Sequence, residues 1–288
     1  MLLLASGLEA GEFSVATYNV RNYLVRPAAG RKVKPEAQRE RVAEVLVRLG
    51  AEILALQELG GEDALSDLGS RLARRGARYP HRAMVAGRDP AIRLAVLSRF
   101  PLLSVRAHTN DQFLVEGSRQ WVRRGFLEAE IEIAGGYRFV LLVAHLKSRR
   151  VVAHAPEAEL RKQEAVILRR RLETLLGRRP GINLLVAGDL NDEPDSTALR
   201  IVKGRGHRTL ADLAPPARAM DGGDPEASGN WTHFYQRGRE RKRLDYLLVS
   251  PGMVPELVWE GVYTGDLPHW FEASDHRPLV ARFRAEDR

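Results

Sequence analysis

Four apolar runs in this 288-residue chain stop on a side chain that can do chemistry. Phe13–Tyr18 stops at Asn19, Ile53–Leu56 at Gln57 and Glu58, and Phe139–Ala144 at His145; Leu184–Gly188 stops at Asp189, with Asn191 two residues on. A single polar residue ending a strand is commonly a turn or cap. Four of them, bringing carboxylate, amide and imidazole, suit one shared site, because ligands of α/β folds bind beyond the carboxyl ends of strands. Hydrolysis of a phosphoester needs a group to polarise the phosphate, a base for water and an acid for the leaving oxygen. Glu58 suits a hard cation such as Mg²⁺, which takes carboxylate, water and phosphate oxygens. Asp189 can orient or deprotonate water, and Asn191 can hold water or phosphate by its amide. Asn19 can position either without adding charge. Two later segments extend the set: Arg243-Leu244-Asp245 opens a strand with a carboxylate, and Ser274-Asp275-His276 precedes the last strand. A histidine beside a carboxylate can carry a proton and stabilise an anionic transition state.

The elements that must position these residues follow from periodicity. Val42, Val45, Leu46 and Leu49 repeat at helical spacing, and Gly50 follows as a stop. Leu160, Ile167, Leu168, Leu172, Leu175 and Leu176 mark one face of a longer helix running from Pro156 to Gly177. Leu65, Leu68 and Leu72 repeat the spacing more weakly. Strands are expected at the four runs above and at Leu94–Leu97 and Tyr246–Val249. Phe126–Ile133 alternates apolar and charged residues, as a strand with one solvated face does, and pairs across Gly135-Gly136 with the run at Phe139. Helix-separated strands mixed with hairpins predict a mixed-sheet α/β fold. Loops are expected at 24–35, 109–121 and 204–229. No linker or repeat divides the chain, so one domain is expected over 13–288.

Bulk composition narrows the function classes. With 44% hydrophobic residues the chain can bury a large core. The absence of cysteine removes disulfides, thiolate metal sites and a cysteine nucleophile. No stretch approaches the roughly 20 apolar residues that cross a bilayer. The balance of 45 Lys+Arg against 37 Asp+Glu, net +8, favours polyanionic partners, although an arginine-rich solvated surface reads the same way. Residues 1–12 read as an export-signal remnant or a frayed terminus. The first would place the protein in the periplasm or outside the cell, the second in the cytoplasm.

The motifs as an ordered set resemble those of the endonuclease/exonuclease/phosphatase superfamily. They are Thr17-Tyr18-Asn19, Leu56-Gln57-Glu58, Ser98-Arg99-Phe100-Pro101, Ala144-His145-Leu146-Lys147-Ser148, Gly188-Asp189-Leu190-Asn191, Leu244-Asp245-Tyr246 and Ser274-Asp275-His276-Arg277-Pro278. That superfamily includes pancreatic-type deoxyribonucleases, apurinic endonucleases, neutral sphingomyelinases and inositol polyphosphate 5-phosphatases. The resemblance implies a four-layer α/β sandwich of two packed mixed β-sheets flanked by helices. It implies Mg²⁺ or Mn²⁺ at Glu58, with Asp275 and Asn19 close by. Asp189 is then the water-activating base beside Asn191, and Asp245 pairs with His276 at the phosphate. His145 stands where deoxyribonuclease-like and sphingomyelinase-like members carry histidine and apurinic endonucleases carry tyrosine. The former hold that histidine with a glutamate from an earlier strand. The region Val85–Arg93 offers Asp89 but no glutamate.

For the substrate, the run Arg237–Arg243 places Arg239, Arg241 and Lys242 beside Asp245, where they can track a nucleic-acid backbone or form a solvated hairpin tip. Arg124 reads equally as a phosphate contact or a strand-end arginine. The reading is a monomeric nuclease acting on nucleic acid, without stable membrane insertion. The alternative is a phosphatase or phospholipase acting on inositol phosphates or sphingomyelin, for which Leu267–Phe271 is a small candidate membrane contact. A catalytically inactive binding member is a further alternative, against which the intact acidic and histidine set argues.

Overall fold

The computed structural model describes residues 11–151, 155–179, 181–214, 217–219, 230–266 and 270–287. Residues 1–10 of the expected export-signal remnant, most of the segment 215–229 and residues 267–269 of the candidate membrane contact lie outside the described residues. The strands are β1 (Glu12–Tyr23), β2 (Ile53–Leu59), β3 (His81–Val85), β4 (Arg93–Ser98), β5 (Leu102–His108), β6 (Gln112–Val115), β7 (Ser118–Trp121), β8 (Phe126–Glu132) and β9 (Arg138–His145). They continue with β10 (Leu184–Asp189), β11 (Ala211–Asp212), β12 (Ala217–Ala219), β13 (His233–Tyr235), β14 (Glu240–Lys242), β15 (Asp245–Val249), β16 (Leu257–Asp266) and β17 (Leu279–Arg284). The helices are α1 (Glu36–Leu49), α2 (Glu62–Arg74), α3 (Glu157–Arg178), α4 (Thr197–Lys203) and α5 (Trp270–Ala273).

One sheet runs β12-β16-β17-β1-β2-β4-β3 and the other β11-β15-β10-β9-β8-β5. Each is mixed, and the two share a plan. A parallel pair, β1/β2 in the first and β9/β10 in the second, is flanked by antiparallel neighbours. β1 and β2 are joined through α1, and β9 and β10 through α3, the crossover that neighbouring parallel strands need.

The sheets pack face to face. Phe13, Val15, Ile53, Leu127, Leu141, Leu185 and Leu247 are fully buried between them, and each such side chain contributes roughly 2 kcal/mol by leaving water. The opposite faces are covered too. Ala16, Tyr18, Leu54 and Leu56 lie under α1 and α2, and Leu142, Val186 and Leu248 under α3 and α4. Burial on both faces explains why these strands read as continuous apolar runs. The result is the expected four-layer sandwich. α1 stops where expected, at Gly50, whose φ of 66° is a left-handed cap. α3 follows Pro156, also as expected. The expected loop 109–121 instead contains the β6–β7 hairpin, whose strands are too short to show a period.

Between the sheets, away from the strand ends described below, the Tyr137 hydroxyl donates to the buried carboxyl of Glu256. Burial pushes that carboxyl up to about 7. A carboxyl that holds its proton more tightly folded than unfolded stabilises fully below the unfolded value. That contribution is lost as pH rises towards the folded value. Glu256→Gln should therefore gain stability relative to the wild type between about pH 4.5 and 7, by about 1–3 kcal/mol. Urea melts of both proteins at several pH values measure it, and a pH-independent difference would refute the assignment.

Candidate active site

Strand parity delivers most of the site. Phe13 and Val15 of β1 point into the inter-sheet core, so the same alternation carries Thr17 and then Asn19 to its mouth. In β9 the series Phe139, Leu141, Val143 leads to His145, and in β10 Leu185, Ala187 leads to Asp189. β15 runs antiparallel to β10 with Asp245 directly opposite Asp189. β17 runs antiparallel to β1, so Asp275 and His276, just before it, arrive at the same end. Gly188 lets this end form: its φ is 146°, and a Cβ there would collide with the Ala144 carbonyl.

Glu58 has the wrong parity. On a regular strand it would face the helices with Leu54 and Leu56. A register shift between Leu56 and Leu59 and a left-handed backbone at Glu58 (φ 64°) turn it into the cleft. Such strain in a non-glycine residue persists when surrounding structure enforces it. Here Glu58 Oε2 accepts the Asn22 N–H at 2.9 Å, and Asn22 is itself left-handed. The buried Lys34 ammonium donates to the carbonyls of Val20 and Arg21 and secures that turn.

At the centre, Asp189 is gripped on both oxygens. Asn19 Nδ2 donates to Oδ2 at 3.0 Å, and the Asn191 N–H donates to Oδ1 at 2.9 Å. His145 Nε2 lies 3.5 Å and His276 Nε2 3.8 Å from the same Oδ2. Burial, reinforced by the Asp245 charge, pushes the Asp189 carboxyl above the ordinary range. His276 Nδ1 meets Asp245 Oδ2 at 2.7 Å, and Asp245 is anchored through its N–H to the Thr232 hydroxyl. Burial disfavours charge on His276, but Asp245, Asp189 and Asp275 outweigh it and carry its pKa up to about 10. His145 is the opposite case. Burial, then the Arg124 charge, hold it well below the ordinary value, so its imidazole is neutral.

These groups open onto a cleft of about 940 Å³. Among the described residues, eight basic side chains line it against four acidic ones. Among the described residues no hydrogen-bond donor reaches Glu58 Oε1, and Glu58 lines this cleft, as does Asp275. Two carboxylates facing one cleft fit a hard divalent cation. Asn19 fits less well as a ligand, since its Oδ1 accepts the Arg21 N–H and its amide holds Asp189. It acts in positioning.

A family model for the endonuclease/exonuclease/phosphatase family matches residues 16–276. The chain belongs to that family. Its members are phosphoesterases and are generally dependent on divalent metal. Solved structures share the fold of this family member. The human Nocturnin catalytic domain aligns with a TM-score of 0.65 and 18% identity, over 94% of each chain. Truncated Caenorhabditis elegans TDP2 aligns at 0.62 and 18%, over 95% of this chain and 97% of that one. Sphingomyelinase C from Streptomyces griseocarneus aligns at 0.60 and 20%, over 95% and 99%. No curated protein sequence matches significantly.

In this phosphoesterase the cleft collects Glu58, His145, Asp189, Asn191, Asp275, His276 and Arg124, with Asn19 and Asp245 buried directly behind them. Two expected phosphate contacts do not join them. Register in the β13–β14 hairpin pairs Phe234 with Arg241 and His233 with Lys242. Lys242 therefore faces the cleft, while the Arg241 guanidinium lies over the Trp231 ring at 5.3 Å. Arg239 sits at the exposed hairpin tip. Arg243 turns inward to Asp212. The expected carboxylate behind His145 is also missing: Nδ1 has no partner among the described residues. Asp89 instead caps the Ala91 and Ile92 N–H groups and pairs with Arg31. Glu164 of α3 accepts the N–H groups of Arg123 and Lys147 and so fixes the backbone beside Arg124 and His145.

Sequence reasoning missed His233, whose ring lies 4.6 Å from that of His276. It also missed the cations Arg21, Arg31, Lys32, Arg149 and Arg150 as members of the site; they line the cleft with Arg237 of the expected basic run. No period marks such residues; only their adjacency to Asn19 and to His145-Leu146-Lys147-Ser148 could have suggested them.

Proposed function

We propose that this phosphoesterase is a divalent-metal-dependent nuclease using Mg²⁺ or Mn²⁺. The observation that carries the reading is the basic rim of the cleft. A single phosphate monoester would engage Arg124 and His276, yet Arg31, Lys32, Arg149, Arg150, Arg237 and Lys242 extend around them. Phosphate contacts along a polynucleotide use such a rim. Lys32, Arg150 and Arg237 are exposed and have no acidic partner among the described residues, so they are free to meet phosphates.

In the mechanism, Asp189 removes a proton from the attacking water. Asn19 and the Asn191 N–H aim its oxygens, and its raised pKa makes it an effective base near neutral pH. His276, protonated and backed by Asp245, faces the charge developing on the phosphate oxygens. Arg124 adds a second cation from the cleft wall. A divalent ion at Glu58 and Asp275 would neutralise and orient the phosphate. His145, whose Nε2 lies 3.5 Å from Asp189 Oδ2, is neutral and has no ready proton, so the departing oxygen takes its proton from water in the cleft.

A small-substrate or lipid reading draws on the sphingomyelinase likeness in fold. The apolar surface favouring it is small. Phe271 is exposed, but Trp270 packs on Trp231 at 5.4 Å. Purified protein with Mg²⁺ should cut plasmid DNA or single-stranded RNA in preference to inositol phosphates and sphingomyelin. Preference for either of the last two would overturn the nuclease reading.

The rim supplies a finer expectation. Replacing Lys32, Arg150 and Arg237 with Ala should weaken nucleic-acid binding across sequences. It should also flatten the dependence of log affinity on log salt by roughly one unit for each phosphate no longer neutralised. Cleavage of a small model diester should barely change. Binding measured across a salt series checks this, and an unaltered slope would remove the rim from substrate binding.

A further inference from the structure

We propose that His233, His276 and Asp275 form a second metal site, sharing Asp275 with the Glu58 oxygen site and selective for Zn²⁺ over Mg²⁺, which withdraws His276 Nε2 from the phosphate when filled. One imidazole nitrogen from each histidine and one Asp275 oxygen all lie within 4.8 Å of one another. Ligand atoms around a tetrahedral ion bound at 2.0–2.2 Å, as Zn²⁺ is, lie roughly 3.3–3.6 Å apart, so filling the site draws the three side chains closer together.

The geometry is built in rather than accidental. The hairpin bearing His233 is docked on the segment bearing the other two ligands through the backbone. His233 and His276 form an isolated bridge, Phe234 N–H donates to the Asp275 carbonyl at 2.9 Å, and Arg277 N–H donates to the Thr232 carbonyl at 2.6 Å.

His276 is prepared as a ligand. Asp245 accepts its Nδ1–H at 2.7 Å, which fixes the tautomer and leaves Nε2 as the donor nitrogen. A carboxylate behind a histidine in this way is the usual support of a zinc ligand. Binding releases one proton from Nε2 to solvent, while Nδ1 keeps its own on Asp245. Arg21 pairs with Asp275 at 3.4 Å but is 45% exposed, so it can turn away. All three residues line the cleft, so water can complete the coordination of an ion held there.

The donor types decide the ion. Two imidazoles and one carboxylate suit Zn²⁺ and its late first-row neighbours, whereas Mg²⁺ prefers six oxygens in an octahedron. The second possible group, Asp189 with Asp245 and His276, is already closed by internal hydrogen bonds. Inhibition by zinc follows only if the phosphoesterase reading of His276 holds; zinc uptake itself does not depend on that reading.

The test is equilibrium dialysis of metal-free protein against Zn²⁺, with excess Mg²⁺ present. The wild type should take up one Zn²⁺ per chain. His233→Ala and His276→Ala should each weaken uptake by at least about tenfold. Co²⁺ loaded into wild-type protein should show the intense visible bands of a four-coordinate ion, a reading that needs no variant to fold. No uptake, uptake unchanged in His233→Ala, or a purely octahedral Co²⁺ spectrum would overturn the site. Micromolar Zn²⁺ should also inhibit Mg²⁺-supported turnover in the wild type more than in His233→Ala, each relative to its own uninhibited rate. Equal inhibition would overturn the inhibitory role. A wild type that binds zinc but turns over no phosphoester would instead sink the functional reading and leave the site standing.

Discussion

Asp189→Asn should lower turnover by at least about 100-fold, and His276→Ala by a comparable factor, with far smaller changes in substrate affinity. The first removes the base that the Asn19 amide and the Asn191 N–H aim at water. The second removes the cation that Asp245 holds towards the phosphate. Both act on charge that develops only in the transition state, so kcat and kcat/KM should fall together. The two side chains also act on each other, since His276 Nε2 lies 3.8 Å from Asp189 Oδ2. The double variant should therefore lose less than the product of the single losses. Steady-state kinetics on a defined oligonucleotide, with thermal melts to exclude unfolding, measure all three. Near-wild-type turnover in either single variant would refute the role given to that residue, and strict multiplicativity would refute the coupling.

Much of this site was legible because one physical fact governs both core and chemistry. Strands buried on both faces stay apolar until they leave the sandwich, and the first polar residue marks the exit. Asn19, His145 and Asp189 all sit at such exits, with the parity of the core residues before them. Asp245 and His276 were legible for a related reason. They lie at the starts of strands antiparallel to those exits, so they reach the same end of the molecule. A mixed-sheet α/β fold followed from strands that alternate between helical crossovers and hairpins, whereas the two packed sheets followed from the family resemblance.

What escaped the sequence had no period to betray it. β13 and β14 are three residues each, too short for alternation to stand out, so His233 was invisible and the facing of Arg241 could not be foreseen. The basic run read as one patch. Pairing divides it, sending Lys242 to the cleft and Arg241 onto Trp231. Glu58 was legible as the end of the Ile53–Leu56 run, but strand alternation alone would have turned it towards the helices. Its orientation depends on a bulge and a left-handed backbone that no composition rule predicts. Lys34 and Glu164 look like surface charges of a loop and a helix. Both are buried and hold backbone beside the cleft, a role visible only once the chain is folded.

Glu58 also carries the sharpest test of metal dependence. Chelation with EDTA should abolish turnover, and Mg²⁺ or Mn²⁺ should restore it; full activity in chelator would sink the metal-dependent reading. Glu58→Gln should raise the Mg²⁺ concentration for half-maximal activity by at least about tenfold, because a hard cation loses a carboxylate ligand and gains only an amide oxygen. Glutamine keeps the length of the side chain and an oxygen able to accept the Asn22 N–H, so the left-handed turn need not relax. The form of the loss then identifies the role. If turnover recovers at high Mg²⁺, the carboxylate served to bind the ion. If the variant stays slow at saturating ion, Glu58 acts on the reaction directly, as its Oε1, 4.0 Å from His145 Nε2, would permit. An unchanged Mg²⁺ dependence with unchanged turnover would place the ion elsewhere and leave the strained backbone at Glu58 without a functional explanation.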